Sequence, residues 1–311
     1  MRYLVTGASG FVGRYLIDAI RRDEPAAEIV AVDRPAAAPP ANVTRVAALD
    51  LLDLDALAAV IARERPDRLV HLASFSSVGL SWHEPVVSFT NNTNIFLNVL
   101  ECVRRSSPQT RVLSIGSSEQ YGLVAPGDLP LRETTPLHPL SPYAVARVAQ
   151  EHLGEVYVRG YGLDIVATRS FNHVGPGQSS RFVISALAKQ FAELARGRAD
   201  RIRVGTTSVI RDFLDVRDVV AAYLALLARG ARGEVYNICS GRGIRIADAI
   251  AIFAGFAGGT PAIETDPALV RPVENEIVVG DHAKLTAAVG WRPTIALEDA
   301  LRAVYDYWLT A

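Results

Sequence analysis

The sequence predicts an α/β fold: a doubly wound parallel sheet with a smaller C-terminal lobe interleaved into it. Three observations predict it. Over the first 170 residues short apolar runs alternate with amphipathic stretches. A glycine-rich turn, Thr6-Gly7-Ala8-Ser9-Gly10-Phe11-Val12-Gly13, joins the first run to the first amphipathic stretch. Beyond residue 170 the alternation loosens into loops that contain glycine and proline. Strand and helix in alternation argue a parallel sheet covered on both faces, because such strands are buried on both sides.

The elements follow in order. Residues 2–6 are an apolar run and read as a buried strand, followed by a helix over 11–22. Strands over 28–33 and 43–48 come next, then a helix over 54–64 and a strand over 68–73. A long helix is expected over 85–105, with Pro85 suited to its first turn, where a missing N–H costs nothing. A strand over 111–115, a helix over 143–160 and a strand over 165–169 complete the alternation. Ligands of such sheets sit at the carboxyl ends of the strands. Residues 172–181 read as a loop and 182–196 as a helix. The runs 209–214 and 234–238 read as strands that rejoin the first sheet, and 243–311 as short helices and turns, one of them over 298–309. The stretch 35–41, rich in Pro and Ala, reads as a surface loop.

With 311 residues, 50% hydrophobic and 21% charged, the chain is long enough for a sizeable core in two lobes. A net charge of −1 supplies no global field for nucleic acid or anionic lipid. Local Arg residues and helix N-termini must hold any anionic ligand. Cys102 and Cys239 lie far apart in apolar settings and read as buried thiols, with neither a disulfide nor a metal site expected. The first strand begins at residue 2 and no apolar run reaches membrane-spanning length, so a cytoplasmic protein is expected. Only Lys189 and Lys284 among the 32 basic side chains are lysine.

In the turn, Gly7 permits the tight bend, Gly10 lets the backbone approach a pyrophosphate, and Gly13 lets helix and strand pack closely. The exposed amides at Phe11 and Val12 and the helix dipole favour phosphate charge. A glycine turn without a ligand is the competing reading. Asp33 ends the second strand, about twenty residues past the turn, as a carboxylate that bonds the adenosine ribose would. It favours NAD(H), whereas Arg34 beside it can meet the 2′-phosphate of NADP(H). Asp50, next to Leu51, suits the adenine amino group, or is a solvated turn residue. The sheet is thus of Rossmann type. The dinucleotide domain is expected to be 1–170 with about 209–240, and the substrate lobe about 171–208 with 241–311.

Ser117 follows the fifth strand and Tyr143 opens the next helix. Residues i and i+4 share a helix face, so Arg147 points the same way as Tyr143. A free phenol titrates near ~10, and a fixed cation within a few ångströms lowers that value, making a phenol fit to pass a proton. Ser117 would share the substrate oxygen.

These residues resemble the extended short-chain dehydrogenase/reductase family, in its nucleotide-sugar branch, over essentially the whole chain. The resemblance lies in the glycine turn, His71-Leu72-Ala73-Ser74, Asn91-Asn92, Ser117 with Tyr121-Gly122, and Tyr143 with Arg147. It continues through Phe171-Asn172-His173-Val174-Gly175-Pro176-Gly177, Arg211-Asp212-Phe213-Leu214-Asp215-Val216 and Arg271-Pro272. It implies reduction of the C4 ketone of GDP-4-keto-6-deoxy-D-mannose, with Tyr143 as proton donor. It also implies that Leu72, Ala73, Ser74, Asn92, Asn172 and His173 line the cofactor. Ser76, Ser77, Ser118, Asn172, Val183 and Lys189 would face the sugar nucleotide, and Arg211 and Arg271 would clamp its diphosphate. His71 reads as a satisfied core histidine. A homodimer through a four-helix contact of 85–105 and 143–160 is implied as well.

Two positions depart from the family pattern. Arg147 stands where the family has Lys, keeping the charge on a longer, planar group. Ile95-Phe96 stands where small residues are common, which is expected to alter packing at the dimer seam. Glu119, two residues past Ser117, supports an alternative, a dehydratase acting on GDP-mannose in which this carboxylate removes the C5 proton. An epimerase of another nucleotide sugar, or a cofactor-binding protein with weakened catalysis, completes the alternatives.

Overall fold

The computed structural model describes residues 1–270 and 273–311. Its strands, in chain order, are β1 (Arg2–Thr6), β2 (Glu28–Asp33), β3 (Arg45–Ala48), β4 (Arg68–His71), β5 (Arg111–Ser117) and β6 (Asp164–Ser170), then β7 (Asn172–Val174), β8 (Arg201–Val204), β9 (Ile210–Asp215), β10 (Val235–Ile238), β11 (Gly243–Arg245), β12 (Ala262–Thr265) and β13 (Ile277–Val278). Seven of them form a parallel sheet in the order β10-β6-β5-β4-β1-β2-β3. The order reverses between β1 and β4, which opens a crevice at their carboxyl ends.

Helices cover both faces. Phe11–Asp23, Val216–Arg229 and Ala283–Val289 pack on one, around Leu16, Ile20, Tyr223 and Leu285. Leu54–Glu64, Ile95–Ser106 and Pro142–Tyr161 pack on the other, around Leu57, Phe96, Val99 and Tyr157. Each fully buried side chain of this size contributes about 2 kcal/mol.

The long helix expected over 85–105 is broken. It runs as Pro85–Phe89, a π-turn over Thr90–Asn94, and Ile95–Ser106, with a separate short helix at Val78–His83. The Asn92 side chain lies in this π-turn, where its Nδ2 donates to the Ser88 carbonyl at 2.8 Å, one turn back.

The second lobe has its own core. Helices Val183–Ala195, Ile246–Ala257 and Leu297–Thr310 bury Phe191, Phe253 and Tyr305 against β9 and its neighbours. The run 209–214 does not rejoin the first sheet. As β9 it pairs with β7 and β13 in parallel and with β11 antiparallel, and only β10 returns to the large sheet, beside β6. Asp212 shows why. Its buried carboxylate accepts from Ser240 N (2.8 Å), Ser240 Oγ (2.6 Å), Gly241 N (2.9 Å) and Gly280 N (3.3 Å), which pins β9 to the segments after β10 and β13. Desolvation pushes that carboxyl above its ordinary range, against the pull of these donors. No helix among the described residues is long and apolar enough to cross a membrane.

Candidate active site

The glycine turn lies at the switch point, between the ends of β1 and β4. Gly7 has φ +69°, and a Cβ there would meet Ala73 N at 2.7 Å. A Cβ at Gly13 would meet Ala8 O at 2.4 Å, so helix and turn touch backbone to backbone. Gly10, the N-cap, has no side-chain bond to the first turn, and that turn carries no acid. The amides of Phe11 and Val12 therefore head an uncapped helix, the surface a pyrophosphate requires. The Phe11 ring stacks on the His173 imidazole, centroids 6.2 Å apart and 8° from parallel. Burial lowers the proton affinity of His173, and its ring meets the Phe171 carbonyl at 3.2 Å. The residues present fit a dinucleotide.

Asp33 ends β2 beside this turn. Its Oδ2 accepts from Ser9 N at 2.8 Å, and burial pushes its carboxyl up. Arg34 is exposed. Arg14 lies close by, Nε donating to Ser9 O at 3.0 Å. Asp50 accepts from Leu52 N at 2.9 Å, and the Leu51 carbonyl accepts from Asn98.

The chemical centre lies at the ends of β4 and β5. Pro142–Tyr161 starts at Ser141, whose side chain accepts from Ala144 N, and this cap sets Tyr143 in the first turn. Tyr143 is buried, with its ring 5.2 Å from the Arg147 guanidinium carbon. Arg147 is buried too. Its Nη1 donates to Ile115 O (3.0 Å) and to Gln150 Oε1, and its Nη2 to Ser74 Oγ. Its Nε has no partner. Ser117 Oγ accepts from Glu119 N at 3.2 Å, starting a short turn over Ser118–Tyr121. Gln120 stiffens that turn, accepting from Ser117 N at 2.9 Å and donating to Glu151 at 2.7 Å.

A narrow cleft opens beside this centre. Val78, Trp82, Ser118, Glu119 and Ser141 line it together with Asn172, Arg211, Glu274 and Asn275. Arg211 donates to Glu274 at 3.3 Å. Asn275 fastens its segment to the loop after β5, donating to the Gly122 carbonyl and accepting from Val124 N at 3.4 Å.

The fold thus groups Tyr143, Arg147 and Ser74 by direct contact, sets Ser117 at the end of β5, and brings Ser118, Glu119, Asn172 and Arg211 to one cleft. Other expected residues lie differently. Asn92 is fully buried, and its amide is spent inside the protein. Besides Ser88 it donates to Phe75 O, and it accepts from Ser74 Oγ and Phe75 N. It holds the Ser74–Phe75 backbone and is not placed to touch a cofactor. Ser77 caps the helix at Val78–His83, and Ser76 is exposed. Lys189 lines a separate groove with Gln190, Arg198 and Arg203, its ammonium 5.2 Å over the Trp308 ring. Val183 is exposed at the start of its helix. Arg271 lies outside the described residues. His71 is only half satisfied. Its Nδ1 meets Thr6 Oγ1 at 2.9 Å while Nε2 is buried without a partner. Burial and the Arg147 charge push its pKa down to about 3. Ile95 and Phe96 are buried inside the subunit, Phe96 against His71, and not at a seam.

Sequence reasoning missed Gln150, Glu274 and Asn275. Gln150 follows Arg147 by three residues, a same-face spacing that was there to be read. Glu274 and Asn275 sit in an aperiodic segment that carries no such signal. Among the described residues no cluster suits a metal ion.

Comparison with known proteins places this geometry in context. The family model described as GDP-mannose 4,6 dehydratase matches residues 4–304. A GDP-6-deoxy-D-mannose reductase of Pseudomonas aeruginosa is 38% identical over 308 residues, 99% of this chain and 97% of that protein. A GDP-mannose 4,6-dehydratase of Yersinia enterocolitica is 28% identical over 281 residues, 80% of this chain and 75% of that one. The solved structure of RMD from Pseudomonas aeruginosa complexed with NADPH superposes with a TM-score of 0.86 at 36% identity, covering 99% of both chains. With its glycine turn at the switch point and its Tyr143–Arg147 pair at the strand ends, the chain belongs to the GDP-mannose 4,6-dehydratase family of extended short-chain dehydrogenase/reductases.

Proposed function

We propose that this protein reduces the C4 ketone of GDP-4-keto-6-deoxy-D-mannose to give GDP-6-deoxy-D-mannose (GDP-D-rhamnose), with Tyr143 as the proton donor. The carrying observation is the Tyr143 ring held 5.2 Å from a buried guanidinium, beside a cleft lined by Ser118, Glu119 and Asn172. Bound at the glycine turn, a reduced nicotinamide dinucleotide supplies the hydride that the ketone carbon accepts. Gly7, Gly10 and Gly13 hold the pyrophosphate close to the backbone, and Phe11 and Val12 offer it amides. Tyr143 passes its proton to the C4 oxygen as negative charge grows there, while Ser117 donates a hydrogen bond to the same oxygen. Arg147 supplies fixed positive charge under the phenol. Arg211 takes the diphosphate, and Glu274 must release it for that.

The full-length similarity to a reductase supports this over dehydration, since the dehydratase matched at 28% shares only 80% of the chain. Glu119 favours a second reading. It lines the cleft where a base for the C5 proton would stand. Asp33 supports NADH, and Arg34 with Arg14 supports acceptance of NADPH. We further assign the dinucleotide to 1–170 with about 216–240 and the sugar nucleotide to the remainder. A homodimer through Pro85–Phe89, Ile95–Ser106 and Pro142–Tyr161 fits the exposed Val86, Phe89 and Val156.

One assay separates the two activities. Purified protein should consume NAD(P)H in equal amount to added GDP-4-keto-6-deoxymannose, and Tyr143→Phe should lower kcat by ~100-fold or more. No consumption with that sugar, but formation of a 4-keto product from GDP-mannose, would establish the dehydratase instead.

A further inference from the structure

We propose that Gln150 is the positioning residue for Arg147, the acceptor that allows an arginine to occupy this place. The proposal rests on the role given to Arg147 above. Arg147 is 4% exposed, and its hydrogen-bond partners are all neutral: Ile115 O, Gln150 Oε1 and Ser74 Oγ. A cation buried without a carboxylate is held by oriented dipoles or not at all. A guanidinium brings five N–H donors in a rigid plane, so its orientation depends on where acceptors stand.

Gln150 stands three residues on, on the same helix face, and is 1% exposed. Strand β5 fixes its amide. Nε2 donates to Ser114 Oγ at 2.9 Å and to Ile115 O at 3.1 Å, which turns Oε1 toward Arg147. The guanidinium is thereby clamped between Ile115 and Gln150 on one side and Ser74 on the other. Ser74 is itself held by Asn92 Oδ1 at 3.0 Å. In that clamp the charge lies 5.2 Å from the Tyr143 ring. Without Oε1, Nη1 keeps only Ile115 O, and the plane can swing away from the phenol. A lysine ammonium makes no such demand, because its three rotatable donors can reach Ser74 and Ile115 alone. Positions 147 and 150 must therefore be coupled.

The test is a cycle of Gln150→Leu, Arg147→Lys and the double variant. Displacement of a catalytic cation costs ~10-fold or more, so Gln150→Leu should lower kcat by at least that, with KM for the keto sugar within ~3-fold. In the Arg147→Lys background, Gln150→Leu should change kcat by less than ~2-fold. Equal loss in both backgrounds, or no loss with Arg147 present, overturns the proposal. The dissociation constant for NADPH, followed by its fluorescence, supplies an independent cycle. If the protein turns over no keto sugar, the function proposed above fails, yet a weakening by Gln150→Leu confined to the Arg147 background still upholds the coupling. An equal weakening in both rejects it. Should Gln150→Leu not fold, a double variant that folds with a normal melting midpoint upholds the coupling, and one that fails likewise rejects it.

Discussion

At the scale of single residues, charge and desolvation decide the behaviour of the site. Arg147 sits near His71, and burial together with the Arg147 charge disfavours protonation of that imidazole. The depressed His71 pKa has a definite sign. In the unfolded chain this imidazole binds a proton below about 6.5. In the fold it stays neutral down to about 3. Its contribution to stability is thus present above the unfolded value and is lost as pH falls toward the folded one. At the other end of the site, Asp33 and Arg34 are the residues proposed to set the preference at the adenosine ribose. Asp33→Ala should move the ratio of kcat/KM for NADPH over NADH upward by ~10-fold or more, because a carboxylate near the 2′ position repels phosphate. Arg34→Ala should move the same ratio downward. Steady-state rates with the two cofactors check both, and a ratio indifferent to both changes would remove these residues from cofactor choice.

At the scale of elements, the glycine turn and the broken helix matter most. The turn was legible from the chain alone, because the strand–glycine–helix order needs no distant partner. What the chain did not display is which backbone atoms crowd each glycine. At Gly13 a Cβ would meet Ala8 O at 2.4 Å, and Gly7 is required by a positive φ and by the closeness of Ala73. Gly13→Ala should therefore lower stability by about 1–3 kcal/mol and weaken dinucleotide binding, seen as a lower melting midpoint and a raised dissociation constant. A variant with both unchanged would show that the turn relaxes freely. The π-turn at Thr90–Asn94 was not legible. Within it Asn92 bonds Ser88 and Phe75, and the second of these comes from outside the helix. Helical periodicity continues on both sides of the turn, so the pattern read as one element.

At the scale of the whole molecule, two cores are joined by segments that cross between them. Asp212 receives donors from two segments distant in the chain, Ser240-Gly241 and Gly280, so the lobes are tied at β9. Apolar faces remain on the outside of the helices proposed to pair. Val86 is 77% exposed and Val156 59%. If two copies meet there, Val156→Glu with Val86→Glu should convert a dimer to a monomer in gel filtration, because buried unpaired carboxylates oppose the contact. An unchanged elution volume would place the interface elsewhere. Ile95 and Phe96 are excluded from that seam, since both lie in the subunit core.

By itself the sequence determined the alternation of strand and helix, the glycine turn, and the Tyr143–Arg147 spacing. All three are local patterns, set by backbone sterics and by the pitch of a helix. Only the tertiary structure decided which sheet β9 joins, that Asn92 faces inward, and that Arg147 is clamped by Gln150, Ile115 and Ser74. Those outcomes depend on acceptors and neighbours far apart along the chain. A buried charge or amide takes the partners that packing brings to it, and packing is not written in any single stretch of residues.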